Sequence, residues 1–156
     1  FFVFHSTQEH VQLLQKQLLD EGLKNCGAIA DEKIKSHILK SSVFAVAKSG
    51  TISLEICNSK IPSIIIYKMG TINFFIVKML VKVKFANIIN IAAGEEVIPE
   101  LLQSKCNAKD IYHSVDKLMN DKTALENQLN KTQSIISNFK TDKSSEIASS
   151  ILKDYI

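Results

Sequence analysis

Ser49, Gly50 and Thr51 make a small, hydroxyl-bearing turn, and Glu55 follows four residues after Thr51. Side chains four apart on a helix share a face, so a helix starting at this turn stacks Glu55 one turn beyond Thr51. The first N–H groups of such a helix have no intrahelical partners and, together with the macrodipole, favour an anion. Gly50 permits close backbone approach, Ser49 and Thr51 add hydroxyl donors, and the two oxygens of Glu55 can accept from a vicinal diol. Phosphate beside a diol is the chemistry of a ribonucleotide. The same residues also fit a plainer description, with Ser49 or Thr51 as a helix N-cap and Glu55 as a solvated first-turn acid.

The elements that must position this turn alternate along the chain. Residues 1–5 read as a short strand and residues 7–21, with apolar positions at Val11, Leu13, Leu14, Leu18 and Leu19, as a helix ending near Gly22. A weak strand over 25–30 leads to Asp31 as N-cap of a helix over 32–40, and residues 43–47 form a continuous apolar run of the buried-strand type. The pattern repeats: a helix over 52–57, Pro62 as punctuation, the β-branched run SIIIY at 63–67, and a helix over 72–81. Residues 85–91 read as extended or irregular. From Glu95 onward helical pieces are expected near 96–102, 108–119, 121–139 and 144–154, without a repeat period. Strands separated by helices of this length imply βαβ units, hence an α/β fold with a parallel sheet covered by helices. In such sheets ligands bind outside the carboxyl ends of the strands, which is where the Ser49 turn falls.

Composition narrows the function classes. A chain of 156 residues, 46% hydrophobic, buries one core. The net charge of +3 is too mild to argue for nucleic acid as a partner, and all 19 basic residues are lysine, a bias of coding rather than of chemistry. Cys26, Cys57 and Cys106 lack metal-ligand spacing and read as inert thiols in a reducing compartment. His5, His10, His37 and His113 share no spacing with one another or with a carboxylate, so none reads as a ligand or base. Lys78, Lys82 and Lys84 interrupt the most apolar segment before it reaches the ~20 residues of a bilayer-spanning helix. Their interleaving with Phe74, Phe75, Ile76, Met79, Leu80 and Val83 suits a sheet-covering helix with lysines snorkelling outward, and also an anionic membrane surface. Phe1 opens the sequence without a charged stretch before it, unlike a signal peptide, and the expectation is a chain that begins within a longer protein.

The segments AKSGTISLE, IPSIIIYKM and VKMLVKVKFANIINIAAGEEVIPELLQ resemble, in order and spacing, the carboxyl-terminal region of lipid-A-disaccharide synthases. The likeness spans nearly the whole chain and is strongest over residues 49–103, through the SGT turn, Leu54 and Glu55, Pro62, Tyr67, LVK at 80–82, Asn90, Ala93 and Gly94, Glu96, and PELLQ at 99–103. That family resembles the two-domain GT-B glycosyltransferases, whose carboxyl-terminal Rossmann-like half holds the UDP of the sugar donor. The resemblance implies that residues 1–107 are part of a nucleotide-sugar-binding domain and 108–156 a helical segment packing on it. It implies that Ser49, Gly50 and Thr51 cradle the donor diphosphate and that Glu55 holds the ribose. Asn90 matches an asparagine that the family needs for activity, and Gly94 with Glu96 would open the next helix beside the nucleotide. Two positions depart from the family pattern: Ile89 where a proline is usual, and Glu95 where a basic residue follows the glycine.

The implied reaction is an inverting transfer of an acylated glucosamine from UDP to an acylated glucosamine 1-phosphate in lipid A synthesis. Its setting would be cytoplasmic, peripheral on the inner membrane of a Gram-negative cell, with the UDP-sugar as substrate and no cofactor or metal. The acceptor site and general base would belong to an amino-terminal domain preceding Phe1, so this chain alone is expected to be inactive, of marginal stability or self-associating as a homo-oligomer. Alternatives are the nucleotide half of another UDP-sugar transferase or epimerase, a non-catalytic nucleotide-binding or oligomerisation module, and a degraded gene remnant.

Overall fold

A computed structural model describes residues 2–4, 8–70 and 84–139. The helices expected over 72–81 and 144–154 lie outside the described residues. The chain divides into two compact units, Phe1–Ser42 and Val43–Ile156.

In the first unit β1 (Phe2–Phe4) and β2 (Gly27–Ile29) pair in parallel, with Val3 opposite Ala28. Between them runs α1 (Gln8–Asp20), whose Gln15 side chain accepts the Ala28 N–H at 3.0 Å. Its end is the one the sequence marks: Gly22 adopts φ 71°, the left-handed conformation, and the N–H groups of Gly22 and Leu23 fold back onto the Leu19 and Leu18 carbonyls. Helix α2 (Glu32–Ser41) starts at Asp31, whose carboxylate accepts from the Lys33 and Ile34 N–H groups at 2.8 and 2.9 Å.

The second unit holds a three-stranded parallel sheet in the order β3 (Ala45–Lys48), β4 (Ser63–Tyr67), β5 (Glu100–Leu102). Ala47 pairs with Ile65, and Ile65 with Glu100. β4 is the central strand, and its Ser63, Ile64 and Ile65 are buried on both faces, as the unbroken β-branched run demands. Helix α3 (Thr51–Asn58) makes the crossover from β3 to β4, placing Ile56 and Cys57 in the core. Ile64, Ile65, Ile89 and Ile98 have no exposed surface, each worth about 1.5–3 kcal/mol of burial.

Two elements differ from the sequence reading. Residues expected to be irregular carry a helix, α4 (Ile88–Ala93), begun by Asn87, whose side chain accepts the Ile89 N–H at 2.8 Å. Part of the stretch expected to be helical near 96–102 is instead β5, because Pro99 disfavours a continuous helix there and the free edge of β4 supplies the hydrogen-bonding partners. The later helices follow their periodicity as α5 (Ala108–Asn120) and α6 (Lys122–Phe139). α5 packs on β4, and α6 packs on α3, α4 and α5, so the helical segment after residue 107 shares its unit with the sheet. The buried stripe of α6 includes Gln128, Thr132 and Ile136. Among the described residues no helix is long and apolar enough to cross a membrane.

Candidate functional site

Of the candidate residues, Ser49, Gly50, Thr51 and Glu55 follow the carboxyl end of β3, whereas Asn90, Gly94 and Glu96 lie on α4 and in the loop that enters the amino end of β5. β3 runs out through Lys48 into Ser49 and Gly50, and α3 begins at Thr51. Gly50 stands at the N-cap with φ 148° and ψ −165°, a region open only to glycine at low cost, and no side chain caps the helix there. A Cβ on Gly50 would meet no atom of the described residues within 4 Å, and Gly50 and Thr51 are both exposed. The amino end of α3 is thus a helix start without a side-chain cap among the described residues, the kind of place that favours an anion. Thr51 is exposed at the first helical position, and Glu55 is exposed one turn further along the same face. The Gly50 carbonyl accepts from both the N–H and the hydroxyl of Ser53, at 3.1 and 2.6 Å, which fixes the first turn from beneath.

Ser49 is placed differently from the expectation of a free donor. Its hydroxyl donates to the Ala86 carbonyl at 2.7 Å, joining the turn to the segment that leads into α4. Lys48, beside it, holds its ammonium 5.2 Å from the centroid of the Tyr67 ring at the end of β4. Sequence reasoning passed over Lys48. Its position in the last register of β3, one residue before the turn, was the available signal.

Asn90 has no exposed surface. Its Nδ2 donates to the Ile98 carbonyl at 2.7 Å and to Glu100 Oε1 at 2.8 Å, and its Oδ1 accepts from the Val97 and Ile98 N–H groups, both at 2.9 Å. Two donors and two lone pairs are all that the amide possesses. In this arrangement Asn90 faces protein on every side and holds the loop into β5 against α4. Glu100, which sequence reasoning treated only as part of PELLQ, gathers three donors: the N–H of Ala86 at 2.8 Å, the N–H of Asn87 at 2.9 Å and Nδ2 of Asn90. Asn87 is equally buried, and its Nδ2 has no hydrogen-bond partner among the described residues.

Gly94 ends α4 in the left-handed conformation, φ 71°, rather than opening a helix, and Glu96 accepts the Glu100 N–H at 3.1 Å. Both line a cleft of about 350 Å³ with Lys84, Phe85, Glu95, Glu100 and Leu102. Ser49, Gly50, Thr51 and Glu55 lie outside that lining; the bond from Ser49 to Ala86, next to Phe85, links the two groups of residues. Glu95, where the resemblance implies a basic residue, is joined to Lys131 of α6 at 2.6 Å, both side chains more than half exposed. Ile89, where it implies a proline, is fully buried on α4.

Comparison with known proteins gives this arrangement a family. The family model described as lipid-A-disaccharide synthetase matches residues 1–153. The lipid-A-disaccharide synthase of Rickettsia typhi (strain ATCC VR-144 / Wilmington) is 38% identical over 128 residues, which cover 80% of this chain and 33% of that protein. That of Rickettsia prowazekii (strain Madrid E) is 36% identical over 141 residues, covering 88% and 37%. A synthase from Sulfurihydrogenibium sp. (strain YO3AOP1) is 40% identical over 92 residues. The chain thus spans about a third of the length of the Rickettsia relatives. Matched to that model almost from end to end, and similar over most of its length to two of these synthases, the chain belongs to the lipid-A-disaccharide synthetase family.

Proposed function

We propose that this chain is the UDP-binding half of a lipid-A-disaccharide synthase, an inverting transferase that moves an acylated glucosamine from UDP to an acylated glucosamine 1-phosphate. The observation that carries the reading is the uncapped, open amino end of α3 at Gly50, at the carboxyl edge of a parallel sheet. As the bond to the sugar breaks, negative charge grows on the UDP β-phosphate. In this reading the N–H groups at that helix end, the Thr51 hydroxyl and Lys48, two residues before Gly50, stabilise it. The UDP-sugar is a substrate here, and no cofactor or metal enters the scheme. Glu55, one turn beyond, accepts from the ribose hydroxyls. Ser49 contributes position, since its proton is committed to Ala86. Asn90 is a positioning residue: it fixes the loop between α4 and β5, where Gly94 and Glu96 line the cleft.

In the same reading the acceptor site and the general base belong to the rest of a longer synthase, and the chain by itself does not transfer sugar. The setting proposed with this reading is the cytoplasmic face of the inner membrane, contacted peripherally. A calorimetric titration of the 156-residue chain with UDP tests the reading. Saturable binding is expected, weakened about tenfold in Glu55→Ala, the loss of roughly one good hydrogen-bonding group. Undetectable binding to the wild type at millimolar UDP overturns it. Because Asn90 is saturated by protein groups, a second reading is a non-catalytic nucleotide-binding module. Sugar transfer by a longer protein containing this chain decides between the two.

A further inference from the structure

The Ala86–Asn87 peptide is held at both ends. Its N–H, on Asn87, donates to Glu100 Oε1 at 2.9 Å, and its C=O, on Ala86, accepts the Ser49 hydroxyl at 2.7 Å. A peptide unit is planar and its N–H and C=O point in opposite directions, so fixing one end aims the other. The same carboxylate also takes the preceding N–H, on Ala86, through Oε2 at 2.8 Å, which leaves this segment little freedom to rotate. A charged acceptor on the N–H side also polarises the amide and strengthens its carbonyl as an acceptor. Asn90 Nδ2, at 2.8 Å from Oε1, in turn holds the carboxylate in place.

We propose that Glu100 is the positioning residue of the Ser49–Gly50–Thr51 turn, acting through the rigid 86–87 peptide. With the carboxylate present the Ser49 proton is committed to Ala86, and the turn that precedes α3 is locked to the segment that precedes α4. Without it the peptide can rotate, the Ser49 hydroxyl loses its acceptor, and the amino end of α3 loosens although no residue of α3 has changed. A carboxylate 14 residues from Ala86 along the chain thereby sets the order of a turn a further 37 residues away. The coupling itself is independent of any ligand; its consequence for affinity rests on the UDP reading above.

Amide hydrogen exchange on the labelled 156-residue chain, without ligand, tests the coupling in the wild type, Glu100→Gln, Ser49→Ala and the double variant. Exchange at Ser53, whose N–H donates to the Gly50 carbonyl, is expected to quicken about fivefold or more in each single variant and no further in the double. Ala86 and Asn87 quicken only where Glu100 is replaced. Unchanged exchange at Ser53 in Glu100→Gln, or additive effects in the double variant, overturns the proposal. Should Glu100→Gln fail to fold, Ser49→Ala with Glu100 intact reads the last link alone, and unaltered exchange at Ser53 is then the refuting result. Phosphorus NMR with added UDP supplies the second arm. Both single variants are expected to weaken UDP by a similar factor, about fivefold, and to move the β-phosphorus resonance alike, with the double variant no worse. A wild type that ignores UDP while the exchange coupling holds refutes the functional reading and supports the relay. Loss of the coupling with UDP binding intact does the reverse.

Discussion

Asn90 Nδ2 lies 2.8 Å from Glu100 Oε1, a contact between a side chain with no exposed surface and the first residue of β5. Around it, α4 and β5 are joined by side-chain bonds to backbone where a larger fold would use helices or strands. Short elements of six and three residues cannot stabilise themselves. They persist here because Asn90 holds the incoming loop and Glu100 holds the peptides before α4. The open amino end of α3 is connected to that structure through Ser49.

Replacing Asn90 by alanine strands the Val97 and Ile98 N–H groups and the Ile98 carbonyl in the core. A loss of about 3–4 kcal/mol is expected in urea unfolding. Asn90→Asp is expected to be at least as damaging, because it keeps the acceptor but sets a second carboxylate against Glu100. A stability change below about 1 kcal/mol for Asn90→Ala would show that the amide is not the bracket described.

Gly50 offers a test of backbone strain without a steric clash. Its φ of 148° with ψ −165° is open essentially to glycine alone, while the space where a Cβ would stand is empty. Gly50→Ala is therefore expected to cost about 1–3 kcal/mol, purely conformational, and Thr51→Ala at the exposed next position under about 0.5 kcal/mol. Equal denaturation midpoints for the two variants would contradict the conformation assigned to Gly50.

What could be read from the sequence was what depends on near neighbours. The SIIIY run marks β4 to the residue because a central parallel strand is apolar on both faces, and Asp31 marks the start of α2 because capping is local. β5 was not legible, since it exists through the edge of β4, and α4, although Asn87 caps it locally, is too short to show a periodicity and is held by Glu100 from a distance. The site divides the same way. That Ser49, Gly50 and Thr51 begin a helix at a strand end follows from residue types. That Ser49 spends its proton on a carbonyl 37 residues away, and that Asn90 is enclosed, depends on tertiary placement that no local pattern encodes.

Gln128 supplies a further test. Its side-chain amide pairs with Ser63 as a neighbouring strand would, Oε1 accepting the N–H at 2.8 Å and Nε2 donating to the carbonyl at 3.0 Å. α6 thus secures the first residue of the central strand. Gln128→Leu keeps much of the volume but leaves both Ser63 groups unpaired in a buried place, and a loss of about 2–3 kcal/mol is expected. Gln128→Glu, which retains only the acceptor, is expected to fall at least as far at pH 7, because an ionised carboxylate there is also buried. Calorimetric midpoints unchanged in both variants would remove α6 from this role.

The last prediction concerns alkaline pH. Cys57, 2% exposed on α3, has its thiol pushed up from 9.0 to about 11 by burial, which disfavours the thiolate. The folded state therefore binds this proton more tightly than the unfolded chain. The contribution is fully present below pH 9 and is lost as pH rises towards 11, since the unfolded thiol ionises first. Two pH units at 1.36 kcal/mol each give about 2–3 kcal/mol across that window. Lysines titrate in the same range, so the measurement is a difference: unfolding free energy from pH 8 to 11 for the wild type minus that for Cys57→Ala. The alanine variant is expected to be less stable at pH 8, because a buried side chain is truncated, and the gap is expected to close as pH approaches 11. A gap that stays constant over the interval would mean that Cys57 ionises as readily in the folded protein as in the unfolded chain, contrary to its burial against the sheet.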